Sequence, residues 1–345
     1  MNQRPNTLDA YCRDVLVLYR CADEKSIDLD LGLASLMGLP WRHIRQLANA
    51  LARTASGQIA SKGTCERRLQ ATNSYLDFAF EYFIEAKRVR IETQRQALEN
   101  LRGQKARLAK YVASKKNEAP EAKQSTSFNA AEMDIIWSVL HPESELNPFK
   151  HQAVRVRNYC MLRVAMETLA RRSEVVLLEM HDINAGADPT VIIKKPAQPN
   201  ASRRRDGASI KTLTRETPIR PELARALDVY IEEFRPEFVR PRVPSASLFL
   251  SARDGRRLAS NTLNQICEAI SQVPEVAALG KRFHPHSLRT SGSDWVDARL
   301  RESCSDSQER QALLAYLGGW SPGSKMPAYY ARGSIRARLR KLLQV

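Results

Sequence analysis

Four short stretches in the second half of the chain carry residues suited to chemistry on a phosphodiester. Arg171 stands in Thr168-Leu169-Ala170-Arg171-Arg172-Ser173-Glu174, and Arg289 closes His286-Ser287-Leu288-Arg289. Gly318-Gly319-Trp320 comes next, and then the pair Tyr329-Tyr330. A phosphodiester is anionic and a poor electrophile. Attack puts further charge on its non-bridging oxygens, so fixed cationic donors are the main catalytic device. Arginine suits the task better than lysine, because its fork offers paired donors and stays charged. A phenolate attacks well and leaves well, so a phosphotyrosyl bond conserves energy for rejoining. The phenol has an ordinary pKa of about 10 and needs nearby positive charge or a base; Arg289 and His286 are the candidates. Each stretch alone is weak, since Arg-Arg-Ser-Glu on a helix is most often a surface ion-pair patch. The order of the whole set carries the specificity.

That order and spacing resemble the tyrosine recombinase (phage integrase) family, closely over residues 128–345 and more loosely before them. The resemblance implies cofactor-free, metal-free cleavage and rejoining of DNA through a 3′-phosphotyrosyl intermediate. It maps Arg171, Lys211, His286, Arg289, Trp320 and a tyrosine onto the catalytic set. Arg172 occupies a position usually apolar in the family, which leaves the register between the two arginines open. The leaving 5′-oxygen needs a proton, which the family takes from a β-hairpin lysine. Lys211 matches best, with Lys194 and Lys195 as rivals. Trp320 stands where many members have histidine, as in the Cre-like members with Gly-Gly-Trp; an indole N–H can donate but cannot transfer a proton. Tyr329 lies nine positions after Trp320, the common family spacing, whereas the Ser-Pro-Gly-Ser loop and the Tyr-Ala-Arg ending match Tyr330 to a longer-loop branch. Helical neighbours point about 100° apart, so one of the two reaches phosphate; Tyr330 is favoured, with Tyr329 as the alternative.

The elements that must position these groups read as mainly helical with a small antiparallel sheet. A first helix is expected after a Thr7 N-cap, a second over 40–54 with Pro40 at its first position, and a third from Ser61. Leu69, Leu76, Phe80 and Phe83 form the third helix's apolar stripe. The stripe fades after Phe83 and the helix turns basic, with Lys87, Arg88, Arg90, Arg95 and Arg102 as candidate phosphate contacts. Residues 114–127 are polar and read as a linker. Asn129 and Glu132 look like a capping box. Thr190–Ile193 is a strand, 196–209 an exposed loop with Arg203, Arg204 and Arg205, and 210–219 the end of one strand, a turn and the next strand. Helix is expected from Pro221 onward, broken near Pro241–Pro244 and Asp254-Gly255.

This gives a helical core DNA-binding domain over 1–113, a linker over 114–127 and an α/β catalytic domain over 128–345, closing as a C-shaped clamp in the family manner. A formal net charge of +16 favours a polyanionic partner. The six cysteines form no Cys-x-x-Cys pair and the histidines lack metal-ligand spacing, so no structural zinc is expected. No apolar run reaches the roughly 20 residues of a membrane span, and Met1–Pro5 is no signal peptide. The expected protein is cytoplasmic and nucleoid-associated. It is a site-specific recombinase of a mobile element, acting on double-stranded DNA as a homotetramer across two sites. The amphipathic 334–345 segment could dock on a neighbour or pack within its own chain. The alternatives are an inactive DNA-binding or architectural protein of the same fold, or a type IB topoisomerase or telomere resolvase.

Overall fold

The structure, a computed structural model, describes residues 5–118, 126–194, 212–321 and 323–327. The chain divides into two compact units, Met1–Gln124 and Ser125–Val345.

The first unit is helical: α1 (Pro5–Glu24), α2 (Leu29–Ala34), α3 (Trp41–Leu51), α4 (Lys62–Lys87) and α5 (Ile91–Asn117). The first helix begins at Pro5, so Thr7 lies inside it rather than capping it. Pro40 is the N-cap of α3, and Ile44, Leu47 and Leu51 are buried as the spacing demands. Ser61 caps α4, its hydroxyl accepting from the Thr64 N–H at 3.3 Å. The single long helix expected through the basic run is two helices. Arg88 adopts the left-handed conformation at φ 47° and ends α4, and α5 continues beyond it into the stretch read as linker. The apolar stripe also persists: Ala97, Leu101, Leu108 and Val112 of α5 are buried in the unit's core.

In the second unit, Asn129 and Glu132 form the expected capping box of α6 (Ala130–Leu140). The central helix α7 (Gln152–Glu167) buries residues all around its circumference, from Val156 to Cys160, Leu162 and Ala165. After α8 (Arg172–Leu177) comes an antiparallel sheet of β1 (Ile183–Asn184), β2 (Thr190–Ile193) and β3 (Arg215–Pro218), in the order β1-β2-β3. Ile193 pairs with Arg215 and Thr190 with Pro218. Of the strand–turn–strand expected within 210–219, β3 supplies the second strand, while Ile210 and Lys211 lie outside the described residues. Residues 212–214 form no strand, and β3 pairs with a partner some twenty positions earlier. Helices α9 (Pro221–Val229), α10 (Thr262–Ser271), α11 (Pro274–Ala277), α12 (Pro285–Ser303) and α13 (Ser307–Gly318) complete the unit. Residues 239–261 hold no helix, a longer interruption than the sequence implied.

Candidate functional site

The turn after α7 is the first support of the site. Leu169 is fully buried at φ 50°, a left-handed conformation that costs a leucine about 1–2 kcal/mol. Its carbonyl accepts from Nη1 of Arg289. Two residues on, the chain enters α8 with Arg171 as N-cap. The Arg171 N–H donates to Glu174 Oε2 at 2.9 Å and its Nη1 to Glu174 Oε1 at 3.5 Å. Arg172 is exposed. In the first box Arg171 is thus held by Glu174, whereas Arg172 faces solvent.

Glu174 is buried and shared. It accepts from Thr212 Oγ1 at 2.7 Å and from Arg215 Nη2 at 3.1 Å. Burial alone would raise its carboxyl pKa. The Arg215 guanidinium, the Arg171 N–H, the Thr212 hydroxyl and Arg289 outweigh that and hold it below the ordinary value. Arg215, itself buried, also donates to Leu317 O at 2.8 Å and Thr212 Oγ1 at 3.0 Å.

The second support is the start of α12. His284 is its N-cap, with Nδ1 accepting from the Ser287 N–H at 3.1 Å, and Pro285 follows at the first helical position. His284 is thereby a structural cap, while His286 on the first turn is exposed and its ring lies parallel to that of His284 at 6.1 Å. The His286 pKa is lowered by partial burial, then by Arg289 and Arg171, so the ring is neutral near pH 7. His286 precedes Arg289 by three residues, so both lie on one side of the first turns of α12, and Arg289 bonds the Leu169 carbonyl two residues before Arg171. Gly292 permits the close approach of α12 to α7, since a Cβ there would lie 2.6 Å from Met166 O.

The Gly-Gly-Trp turn is the third support. Gly319 is left-handed at φ 62°, and the Gly319 and Trp320 N–H groups donate to Tyr316 O and Ala315 O, both at 2.9 Å. This closes the end of α13 as a Schellman turn. A Cβ at Gly318 would meet the Trp320 ring at 2.4 Å. The Gly318 carbonyl accepts from Arg289 Nη2 at 2.7 Å, and the Arg289 guanidinium lies over the Trp320 ring at 4.7 Å. Trp320 is buried in a small cluster with Leu169 and Leu314. Three guanidiniums (Arg171, Arg215, Arg289) and one ionised carboxylate (Glu174) leave this region strongly positive.

Lys211, Lys195, Tyr329, Tyr330, Arg203, Arg204, Arg205 and the 334–345 segment lie outside the described residues. Lys194 is engaged elsewhere, with Nζ 2.6 Å from Asp182 Oδ1 and 2.7 Å from His181 Nε2. In the first unit Lys87, Arg88, Arg90, Arg95 and Arg102 are exposed, and Lys87 donates to Ala34 O at 2.6 Å. Further along the basic run, Lys105 pairs with Asp77 of α4 at 2.7 Å. Sequence reasoning quoted Glu174 without giving it a task, and missed Thr212 and Arg215. The capping-box spacing Arg171–Glu174 was a usable signal for the first. Nothing local marks Arg215, whose burial depends on segments far apart in sequence. Among the described residues no group of three His, Cys, Asp or Glu side chains could hold a metal ion, and no helix is long and apolar enough to cross a membrane.

Residues 142–332, which carry all these supports, match the model of the phage integrase family. The chain belongs to the phage integrase family. Its relatives include the tyrosine recombinase XerD of Mycobacterium tuberculosis, 29% identical over 161 residues, covering 47% of this chain and 44% of the relative. The matched stretch thus spans less than half the length of that curated relative. Solved structures that share the fold of this integrase-family chain include the following two. The Tn1549 transposon integrase in complex with transposon right end DNA has TM-score 0.58 and 14% identity, covering 99% of this chain and 95% of that one. The XerH site-specific recombinase bound to palindromic difH substrate has TM-score 0.50 and 17% identity, covering 92% of this chain and 97% of that one.

Proposed function

We infer that the chain is a tyrosine-type site-specific DNA recombinase of a mobile element. The observation that carries this reading is the convergence of Arg171, His286 and Arg289 on a positively charged site, braced by Glu174. The roles follow from the chemistry. Arg171 and Arg289 hold the scissile phosphate and stabilise the charge that grows on its non-bridging oxygens. The phenol oxygen of Tyr330 forms a bond to phosphorus as the bond to the 5′-oxygen breaks. The neutral His286 ring is suited to accept the phenolic proton. Lys211 gives a proton to the departing 5′-oxygen, which leaves as a hydroxyl. Rejoining is the reverse with a new 5′-hydroxyl, so no external energy source is needed. Trp320 supports Arg289 from below as a stacking wall. Double-stranded DNA is the partner, bound through both units, Met1–Gln124 and Ser125–Val345. Two pairs of subunits on two sites would exchange strands in turn.

The test is covalent capture from a pool of nicked duplexes of randomised sequence, in the presence of EDTA. A protein–DNA adduct is expected, its captured sequences define the site, and mass spectrometry maps the nucleotide to Tyr330. An adduct on Tyr329 corrects the register of the nucleophile. Binding without any adduct overturns the reading in favour of an inactive DNA-binding protein. Plasmid relaxation without exchange between two captured sites would point to a topoisomerase.

A further inference from the structure

Two arginines tie the same two turns together, one residue out of step. Arg289 donates to the carbonyls of Leu169 and, at 2.7 Å, of Gly318. Arg215 donates to the carbonyls immediately before them, Thr168 at 3.5 Å and Leu317 at 2.8 Å. Each guanidinium therefore spans from the end of α7 to the end of α13. Arg215 goes further. Its other bonds reach Thr212 Oγ1 at 3.0 Å and Glu174 Oε2 at 3.1 Å, and Glu174 holds Arg171. Arg215 is 3% exposed, and each of its three guanidinium nitrogens donates to a protein acceptor. It is bonded to both supports of Arg289 and to the carboxylate that orients Arg171. A planar fork with five donors fits four acceptors spread over three segments; a single ammonium cannot span them.

We propose that Arg215 is a positioning residue that sets the spacing of Arg171 and Arg289 against the scissile phosphate. This rests on reading the site as a DNA-cleaving centre. A misplacement of about 1 Å in a catalytic group costs on the order of 100-fold in rate. A residue that acts only on fold stability would lower the amount of competent protein equally for every substrate. A residue that aligns two cations against an anion has a different signature. Its loss matters most where the scissile group is charged, and less where a methyl replaces one charged non-bridging oxygen.

The experiment measures single-turnover capture on a nicked duplex of the captured site, with either a phosphate or a methylphosphonate at the scissile position. The full chain is compared with Arg215→Lys, which keeps the charge, and with Thr212→Val. The valine removes the hydroxyl joining Arg215 to Glu174 and leaves the volume almost unchanged, so it remains informative if Arg215→Lys folds poorly. Arg289→Lys serves as the reference. Arg215→Lys should slow capture on phosphate on the order of 100-fold and on methylphosphonate by about ten-fold or less, with DNA affinity changed by no more than about two-fold. Thr212→Val should show the same bias with a smaller loss. Equal losses on the two substrates, or none, overturn the proposal. Absence of any adduct from the unaltered chain overturns the underlying reading of the site, and is seen before any variant is compared.

Discussion

Arg289→Lys separates charge from geometry at the centre of the site. The arginine is 2% exposed, bonded to two backbone carbonyls and stacked on Trp320 at 4.7 Å. A lysine retains the charge but reaches at most one carbonyl well and loses the planar stack. Loss of one charge-assisted hydrogen bond costs about 1.5–3 kcal/mol, and loss of the stacked cation about 1 kcal/mol more. The second unit should therefore lose about 2.5–4 kcal/mol, which for a unit of this size lowers Tm by roughly 5–16 °C. The chain should still fold at 25 °C if its stability lies in the usual range of about 5–15 kcal/mol. Catalysis should suffer more. Removing one preorganised donor from a developing oxyanion costs about 10²–10³ in rate. The assay pairs urea unfolding with filter binding and single-turnover capture at 25 °C. Capture should fall about 100-fold or more while DNA affinity and the folded fraction stay close to those of the unaltered chain. Arg172→Lys, at an exposed position, should change none of the three. Capture that falls only in step with the folded fraction would refute a direct role for Arg289. An inactive Arg172→Lys would refute the assignment of the inward arginine.

Three further outcomes follow from the same structure. DNA affinity should drop by orders of magnitude between about 50 and 200 mM salt if roughly six to ten phosphates are neutralised; a flat salt dependence in filter binding contradicts binding through the basic face. Gly319→Ala should cost about 2–4 kcal/mol by urea unfolding, because φ is 62° and the new Cβ would lie 2.6 Å from Arg215 Nη1 and 2.7 Å from Thr212 Cβ; a change under about 0.5 kcal/mol would show that the turn relaxes freely. The His286 pKa is depressed below its ordinary 6.5 and that of Glu174 below its ordinary 4.5. The unfolded chain therefore binds protons first at both groups, and stability declines as pH falls below about 6.5 and again below about 4.5. With DNA well below saturation, where the rate reports the free protein, the acid limb of capture should also lie below pH 6.5, and a limb at or above that value under those conditions rules out His286 as the proton acceptor.

The parts of the fold that can be read from sequence are those with local causes. Ser61 and the Asn129–Glu132 pair announce helix starts because the capping bonds lie within one turn. The break at Arg88 has no such signal: a left-handed cap is expected at glycine, and here an arginine adopts it. The stripe at Ala97, Leu101, Leu108 and Val112 has helical spacing, but it is diluted by the surrounding charge. The partner of β3 lies across the whole 194–214 connection, and strand pairing at that separation leaves no local trace. In the site, the arginines, His286 and the Gly-Gly-Trp turn were legible as a set. Arg215 was not, since an arginine at a strand end ordinarily faces water.

The way this chain accommodates buried cations also suits its proposed reaction. A carboxylate beside each arginine would offset the cost of burial but would repel an incoming phosphate. Instead the acceptors are largely helix-end carbonyls: Thr168 O and Leu169 O just past α7, and Leu317 O and Gly318 O at the end of α13. The last carbonyls of a helix lack intrahelical donors and carry the negative end of its dipole, about half an elementary charge. Two such ends stabilise the Arg215 and Arg289 guanidiniums and have their own carbonyls satisfied in return. Glu174, buried behind Arg171 and Arg215, supplies one full negative charge on the side that Thr212 and β3 occupy. The arrangement leaves a net positive field without a carboxylate exposed to the ligand. It also explains why two left-handed residues, Leu169 and Gly319, stand at these turns: each reverses the chain directly beside a carbonyl that an arginine must reach.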